Sequence, residues 1–262
     1  MKAPSFLSVS EVENVCYVRL NRPDVRNAFN PEMIDELTET FSRVGKRKDL
    51  IALVLMGEGK VFCAGADLQW MKMMVNYTFE ENKIDAQTLF RMFEAVTFCG
   101  LPVISVVHGA AYGGAIGLVA CSDYVIAETS TDFCFSEVKL GIAPAVVSSF
   151  ILRKCSLAHV MPAMLSGENF QTSDAKTMGL VTRICGDGEG PQQLASVIAM
   201  FKQCGPEALR ETKKLLNEVK TLSWQEQAER TSKVIADRRI SSEGQEGLKS
   251  FLEKRQPSWR QS

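Results

Sequence analysis

Hydrophobic and polar positions follow two different periods in the first half of the chain. Residues 15–20, 51–56, 103–107 and 123–127 are short, largely apolar runs, which are typical of buried strands. Between them, residues 31–44 and about 80–98 carry apolar side chains at helical spacing. Because strands that alternate with helices favour parallel βαβ units, the pattern predicts an α/β fold.

Two polar residues mark predicted helix starts. Asn30 precedes Pro31, a pair that suits the cap and the first position of a helix. Asp67 precedes a short pattern that predicts a helix from about residue 69.

The pattern changes at about residue 145, after which strands nearly vanish and residues 180–184 are the last candidate. Long helices are predicted at about 189–204, 206–220, 223–239 and 242–253. We therefore predict a core over residues 1–190 and a helical carboxyl-terminal region over residues 191–262.

Composition excludes several classes of protein. The 262 residues include 30 basic and 31 acidic side chains, a formal charge of −1 that argues against a nucleic-acid partner. The eight cysteines are scattered and form no C-x-x-C pair, which favours a reducing compartment over zinc or disulfides. The first five residues lack the apolar core of a signal peptide, and no run approaches the roughly 20 residues of a membrane span. We expect a cytoplasmic protein without a membrane partner.

Two turns of small residues are candidates for chemistry. Residues 62–68 follow the strand at 51–56, and residues 108–114 follow the strand at 103–107. Each turn precedes a helix, so each can present a backbone N–H to one ligand oxygen. The candidate donors are Ala66 and Gly114, and together they would form an oxyanion hole. The alternative is a pair of ordinary tight turns.

Glu137 is the candidate base, because it lies between two apolar segments where partial burial raises a carboxyl pKa. The alternative is a structural salt bridge with Lys139 or Arg153. His108 is interpreted as a satisfied core histidine and His159 as helix packing. The sequence has no H-E-x-x-H motif and no phosphate-loop signature, so we expect no metal site.

Over nearly its whole length the sequence resembles the crotonase family, also called enoyl-CoA hydratase/isomerase. The resemblance rests on five motifs in this order: Asn21-Arg22-Pro23 with Asn27-Ala28-Phe29; Phe62-Cys63-Ala64-Gly65-Ala66-Asp67-Leu68; His108-Gly109-Ala110-Ala111-Tyr112-Gly113-Gly114; Ser136-Glu137-Val138-Lys139-Leu140-Gly141-Ile142-Ala143-Pro144; and the segment from Glu243 to Arg255.

This resemblance implies a ClpP-like spiral of ββα turns with a helical trimerisation region, assembled as a homotrimer or hexamer. It implies an acyl-CoA substrate, with coenzyme A as part of the substrate and no separate cofactor. Ala66 and Gly114 would hold the thioester oxygen, with Glu137 as the acid-base residue. The positions that fall on the CoA and substrate path are Arg26, Ala28, Ala64, Gly65, Asp67, Leu68, Gly113, Gly117, Phe251 and Lys254, the last two often completing a neighbouring subunit's site.

One position departs from the family pattern. Family hydratases typically use two glutamates, and the first of them falls on Gly117. Glycine cannot act as an acid or base, so two enzymes are expected. One is a hydratase in which Glu137 activates water and the α-proton comes from the same group, a bound water or another residue. The other is a Δ3,Δ2-enoyl-CoA isomerase that uses Glu137 alone. A binding protein without catalysis is the alternative from another class. The missing side chain could also leave room for a bulkier acyl group.

Local motifs resemble hydratases of leucine and acyclic-terpenoid breakdown, which implies a branched or carboxylated acyl chain. The residues concerned include Trp70 and Met71. Trp70 is interpreted as shaping the acyl pocket or, equally, as packing between helices.

Overall fold

The computed structural model describes residues 5–260. Residues 1–4, which contribute to the argument against a signal peptide, lie outside the described residues. The described part of the chain forms nine strands: β1 (Leu7–Val12), β2 (Val15–Leu20), β3 (Ala52–Gly57), β4 (Val103–Val107), β5 (Ala110–Tyr112), β6 (Tyr124–Glu128), β7 (Asp132–Cys134), β8 (Asn169–Gln171) and β9 (Arg183–Cys185).

Six of these strands form the main sheet, in the order β1-β2-β3-β4-β6-β9. β1 and β2 form an antiparallel hairpin, whose two turn residues Glu13 and Asn14 both have positive φ angles, as tight hairpins require. All other neighbours in this sheet are parallel, which confirms the predicted βαβ pattern.

A second, small sheet carries the order β5-β7-β8. β5 and β7 are parallel, and a bridge between Cys63 and Ala111 places the turn at residues 62–68 beside β5. Three segments that are distant in sequence therefore run side by side at this point.

Eleven α-helices lie within the described residues: α1 (Pro31–Val44), α2 (Leu68–Met74), α3 (Phe79–Thr97), α4 (Gly114–Cys121), α5 (Ala145–Lys154), α6 (Leu157–Ser166), α7 (Thr172–Met178), α8 (Gly190–Lys202), α9 (Pro206–Val219), α10 (Trp224–Ile240) and α11 (Ser242–Leu252). The four predicted carboxyl-terminal helices are confirmed within a few residues. Asn30 accepts a hydrogen bond from the N–H of Met33 at 3.0 Å and caps α1 as predicted.

The central strands of the main sheet are buried on both faces, whereas the edge strand β1 is largely exposed. The larger core joins α1, α3, α4 and α5 to one face, and α8 covers the other with Leu194, Val197 and Ile198. α8 thus packs on the sheet, although it follows the predicted boundary at residue 190. Within the described residues, no helix combines the length and the apolar character needed to cross a membrane.

α9 is attached to the sheet by a buried lysine. Lys213 donates a hydrogen bond to the carbonyl oxygen of Leu101 at 2.9 Å and pairs with Asp123 at 2.7 Å. Because a buried ammonium needs a charge partner, this contact fixes where the carboxyl-terminal helices leave the core.

Candidate active site

The first predicted donor, Ala66, lies in a backbone bridge with Phe29. The N–H of Phe29 donates to the carbonyl oxygen of Gly65, and the N–H of Asp67 donates to that of Phe29, both at 2.7 Å. In a parallel bridge these bonds come from the flanking residues, so the N–H of Ala66 points away from Phe29. No protein acceptor within residues 5–260 binds it, and Ala66 is exposed.

The carboxylate of Asp67 stabilises this turn through hydrogen bonds. It accepts them from the N–H of Gln69 at 2.7 Å and from Arg22 at 2.8 Å. Burial favours a higher pKa for Asp67, but these hydrogen bonds outweigh it and lower the pKa. Arg22 also donates to the carbonyl oxygen of Ala28. Asp67 caps α2 as predicted, and its carboxylate is engaged within the protein.

The second predicted donor, Gly114, is the first residue of α4. Its N–H has no partner within the helix, and the helix dipole adds positive potential there. The preceding Gly113 has a φ of 52° and donates its own N–H to Cys134 at 2.9 Å. A Cβ atom at Gly114 would lie 3.3 Å from the ring of Phe29. Phe29 therefore contacts both turns, through its backbone at Ala66 and through its ring at Gly114.

Glu137 lies beside these turns in a short 3-10 helix, Ser136–Leu140, that follows β7. A Cβ atom at Gly113 would lie 3.4 Å from its Oε1, so the carboxylate faces the start of α4. Its Oε2 is buried and has no hydrogen-bond partner within the described residues. Burial raises the pKa of Glu137, and a hydrogen bond from its own backbone N–H offsets only part of that effect.

The alternative interpretation of Glu137 as a structural ion pair is wrong. Among residues 5–260, no basic side chain lies within 4.0 Å of its carboxylate, and Lys139 is exposed. Arg153 instead donates to Asn217 at 3.0 Å and lies over the ring of Phe98. Since a buried carboxylate without a partner is costly, this arrangement is typical of a functional group.

The remaining predicted residues occupy two environments. Near the turns, the N–H of Ala64 donates to the carbonyl oxygen of Arg26 at 3.0 Å, and Ala28 is buried. Gly65 has a φ of 93°, and a Cβ there would lie 3.0 Å from the carbonyl oxygen of Tyr112. The side chain of Leu68 is exposed at the start of α2.

Trp70, by contrast, is buried and donates its indole N–H to Asp85 at 3.2 Å, which shows that it joins α2 to α3. Phe251 and Lys254 are exposed at the end of α11. Their implied role in a neighbouring site stays a prediction. His108 bonds to the carbonyl oxygen of Gly59 at 3.0 Å and is thus a satisfied histidine, but it is only partly buried and not a core residue as predicted. His159 is exposed, contrary to its interpretation as helix packing.

Comparison with known proteins identifies the family. Residues 10–262 match the sequence model described as enoyl-CoA hydratase/isomerase. The chain belongs to this family. A candidate enoyl-CoA hydratase of Thermus thermophilus is 30% identical over 247 residues, which cover 94% of this chain and 98% of that protein.

Solved structures confirm the crotonase fold of this family. An enoyl-CoA hydratase from Shewanella pealeana is 35% identical with a TM-score of 0.92, covering 97% of this chain and 96% of its own. AtuE from Pseudomonas aeruginosa is 29% identical with a TM-score of 0.95, covering 98% of this chain and all of its own.

Gly117 is the position where this enoyl-CoA hydratase/isomerase family member departs from the two-glutamate pattern. A Cβ atom there would lie 2.5 Å from Cζ of Phe93, closer than atoms can pack. The expectation that Gly117 leaves room for a bulkier acyl group is therefore wrong, because the ring of Phe93 already fills that space.

Two residues of this site were not assigned from the sequence. Phe29 belongs to the motif Asn27-Ala28-Phe29, which is a local signal. Its contact with Gly114 depends on the tertiary fold and could not be predicted from that motif. No local feature of the sequence marks Phe93 as a site residue, because it is one of several apolar positions on α3.

Proposed function

We propose that this protein adds water across the double bond of a 2-enoyl-CoA, with Glu137 as its acid-base residue. The observation that carries the proposal is the buried, unpaired Oε2 of Glu137 beside the turn that presents the N–H of Gly114. The hydratase names of the relatives support hydration.

The reaction needs one carboxylate and two N–H donors. Glu137 removes a proton from water while the water oxygen bonds to C3 of the acyl chain. The π electrons of the double bond move to the thioester oxygen, where the N–H groups of Ala66 and Gly114 stabilise the enolate by several kcal/mol. The protonated Glu137 then returns its proton to C2, and the thioester carbonyl forms again. The raised pKa of Glu137 suits this exchange.

Isomerisation is the second candidate, and the position of Phe93 favours it. The apolar ring of Phe93 fills the space at Gly117, the position at which family hydratases carry the glutamate that is missing here. In a 3-enoyl-CoA, Glu137 would remove a proton from C2, and the double bond would move into conjugation with the thioester. The same carboxyl group would then give the proton to C4.

The substrate class follows from the sequence resemblance, which points to a branched or carboxylated acyl chain. Coenzyme A enters and leaves as part of that substrate, so no separate cofactor is proposed. Arg26, Phe251 and Lys254 are proposed to contact the CoA moiety, the last two from a neighbouring subunit.

We also propose a homotrimer or hexamer. Large apolar side chains on α10 and α11 are exposed in the single chain, including Trp224 at 85% and Phe251 at 82%. Sedimentation at equilibrium would test this, and a monomer at micromolar concentration would contradict it.

The activity is tested with three substrates, which are crotonyl-CoA, 3-methylglutaconyl-CoA and a 3-enoyl-CoA. Loss of absorbance at the conjugated enoyl-thioester band marks hydration, and gain of absorbance from the 3-enoyl substrate marks isomerisation. Binding of acyl-CoA without any change would instead indicate a protein that has lost catalysis.

Glu137→Gln tests the assigned base, with Glu168→Gln as the control because Glu168 is exposed. Removing a general base typically lowers the rate about 10²- to 10⁴-fold. Full turnover by Glu137→Gln would remove Glu137 from the mechanism.

A further inference from the structure

Gly117 is a buried residue one helical turn into α4. At about 100° per residue, it lies about 60° around the helix from Gly114. Gly113 faces the carboxylate of Glu137, and Gly114 faces the ring of Phe29. Position 117 therefore lies toward the same side of α4 as Gly114, about one helical turn farther from the start of the helix.

The ring of Phe93 occupies the space in front of Gly117. Its Cζ, Cε1 and Cε2 atoms would lie 2.5, 2.8 and 3.0 Å from a Cβ at position 117. All three atoms belong to the outer end of the ring. The ring of Phe93 can therefore pack at this place only because residue 117 has no side chain.

Phe93 is also tied to the segment that follows Glu137. Its ring centroid is 5.3 Å from that of Phe150 on α5, which in turn is 5.0 Å from Phe90. The three rings form an aromatic row from the buried Phe93 to the partly exposed Phe90. α5 begins five residues after Ser136–Leu140 ends, so the row connects α3 to the element next to the base.

We infer that Phe93 determines acyl specificity by filling the space in front of Gly117, one helical turn from the N–H of Gly114. The inference rests on the proposed function, because it places the acyl chain in that space. Phe93 acts as a positioning residue, since its side chain is fully buried and acts through the space that its ring fills in front of Gly117.

Phe93→Leu is the decisive variant, because leucine lacks the three ring atoms that approach position 117 while keeping most of the apolar volume. We expect the ratio of kcat/KM for 3-methylcrotonyl-CoA over crotonyl-CoA to rise about tenfold, the lower end of what one methylene group decides in an apolar pocket. Phe41→Leu is the matched control, since Phe41 is equally buried in the same core but lies in the far half of α1 from Phe29. An unchanged ratio, or an equal change in both variants, would overturn the inference.

A double-mutant cycle with Gly117→Ala tests the contact independently of turnover. Alanine normally stabilises a helix relative to glycine, but here its Cβ meets the ring of Phe93, so we expect Gly117→Ala to lower Tm by several degrees. In the Phe93→Leu background the same change should lower Tm by much less or raise it. Additive effects on Tm would contradict the assigned contact.

The proposed catalytic function and the proposed role of Phe93 in acyl specificity can be refuted separately. If the wild-type protein converts no enoyl-CoA, the proposed function fails, and specificity is then measured as the ratio of Kd for isovaleryl-CoA and butyryl-CoA. Phe93→Leu should still shift that ratio toward the branched ligand. An unshifted Kd ratio would refute the role of Phe93 by itself.

Discussion

Asn27 offers a sharp test of how the site is built. It is fully buried, has a φ of 56°, and holds the loop before α1 against the turn that follows β3. Its side-chain oxygen accepts from the N–H of Arg22 at 2.9 Å, and its amide nitrogen donates to the carbonyl oxygens of Glu58, Val61 and Phe62 at 2.8, 2.9 and 3.2 Å.

The cost of Asn27→Ala can be estimated from these contacts. Each net hydrogen bond is worth about 1 kcal/mol, and at least three are lost with their backbone partners left buried. Alanine also tolerates the positive φ less well, which adds roughly 1 kcal/mol. We therefore expect the free energy of unfolding to fall by about 4–5 kcal/mol, measured by urea denaturation.

Asn30→Ala is the matched control, because Asn30 makes one capping bond to Met33 in the same loop and should cost only about 1 kcal/mol. Where Asn27→Ala remains folded, its kcat should also fall, since the loop carries Phe29, which contacts both donor turns. Equal losses of stability in the two variants would refute this reasoning.

Three further predictions concern the base, a donor and the attachment of α9. Because burial raises the pKa of Glu137 above 4.5, its ionisation destabilises the fold as pH rises through that pKa. Glu137→Gln should therefore gain stability over wild type in thermal melts at pH 8 but not at pH 4. Gly114→Pro should lower kcat at least about 10²-fold with α4 intact, because proline is tolerated at the first helical position but lacks the N–H. Gly114→Ala keeps the N–H, and comparable activity in the two variants would exclude this donor. Lys213→Met should cost about 1–3 kcal/mol in urea denaturation, since it leaves the partly exposed Asp123 without its cation, and an unchanged midpoint would contradict that.

Local sequence signals predicted the parts of the site that depend on backbone conformation. Asn30 and Pro31 marked the start of α1, and the small residues around Ala66 and Gly114 marked the two turns. Three strands were missed. β1 is largely exposed and so lacks a buried apolar run. β5 and β8 have three residues each, and such short pairings are specified by neighbours rather than by their own pattern. The helices α5, α6 and α7 were not predicted individually for lack of a clear period.

The contact between Phe93 and Gly117 could not be predicted from the sequence, for a different reason. The two residues are 24 positions apart and lie on different helices, and neither pattern indicates which helix faces lie together. A glycine in an apolar helix suggested empty space, whereas tertiary packing had placed an aromatic ring there. Likewise, only the fold showed that neither Lys139 nor Arg153 reaches Glu137.

The way the small sheet aligns its segments has an evolutionary consequence. The two candidate donors are main-chain groups. Their positions follow from the backbone pairing of Ala66 with Phe29, of Cys63 with β5, and of β5 with β7. Point substitutions therefore leave the polarising half of the site in place as long as the pairing survives. The side chains at 93, 117 and 137 can change independently of it. Under the proposed function, one reaction can therefore replace another while the backbone groups proposed to bind the thioester keep their positions.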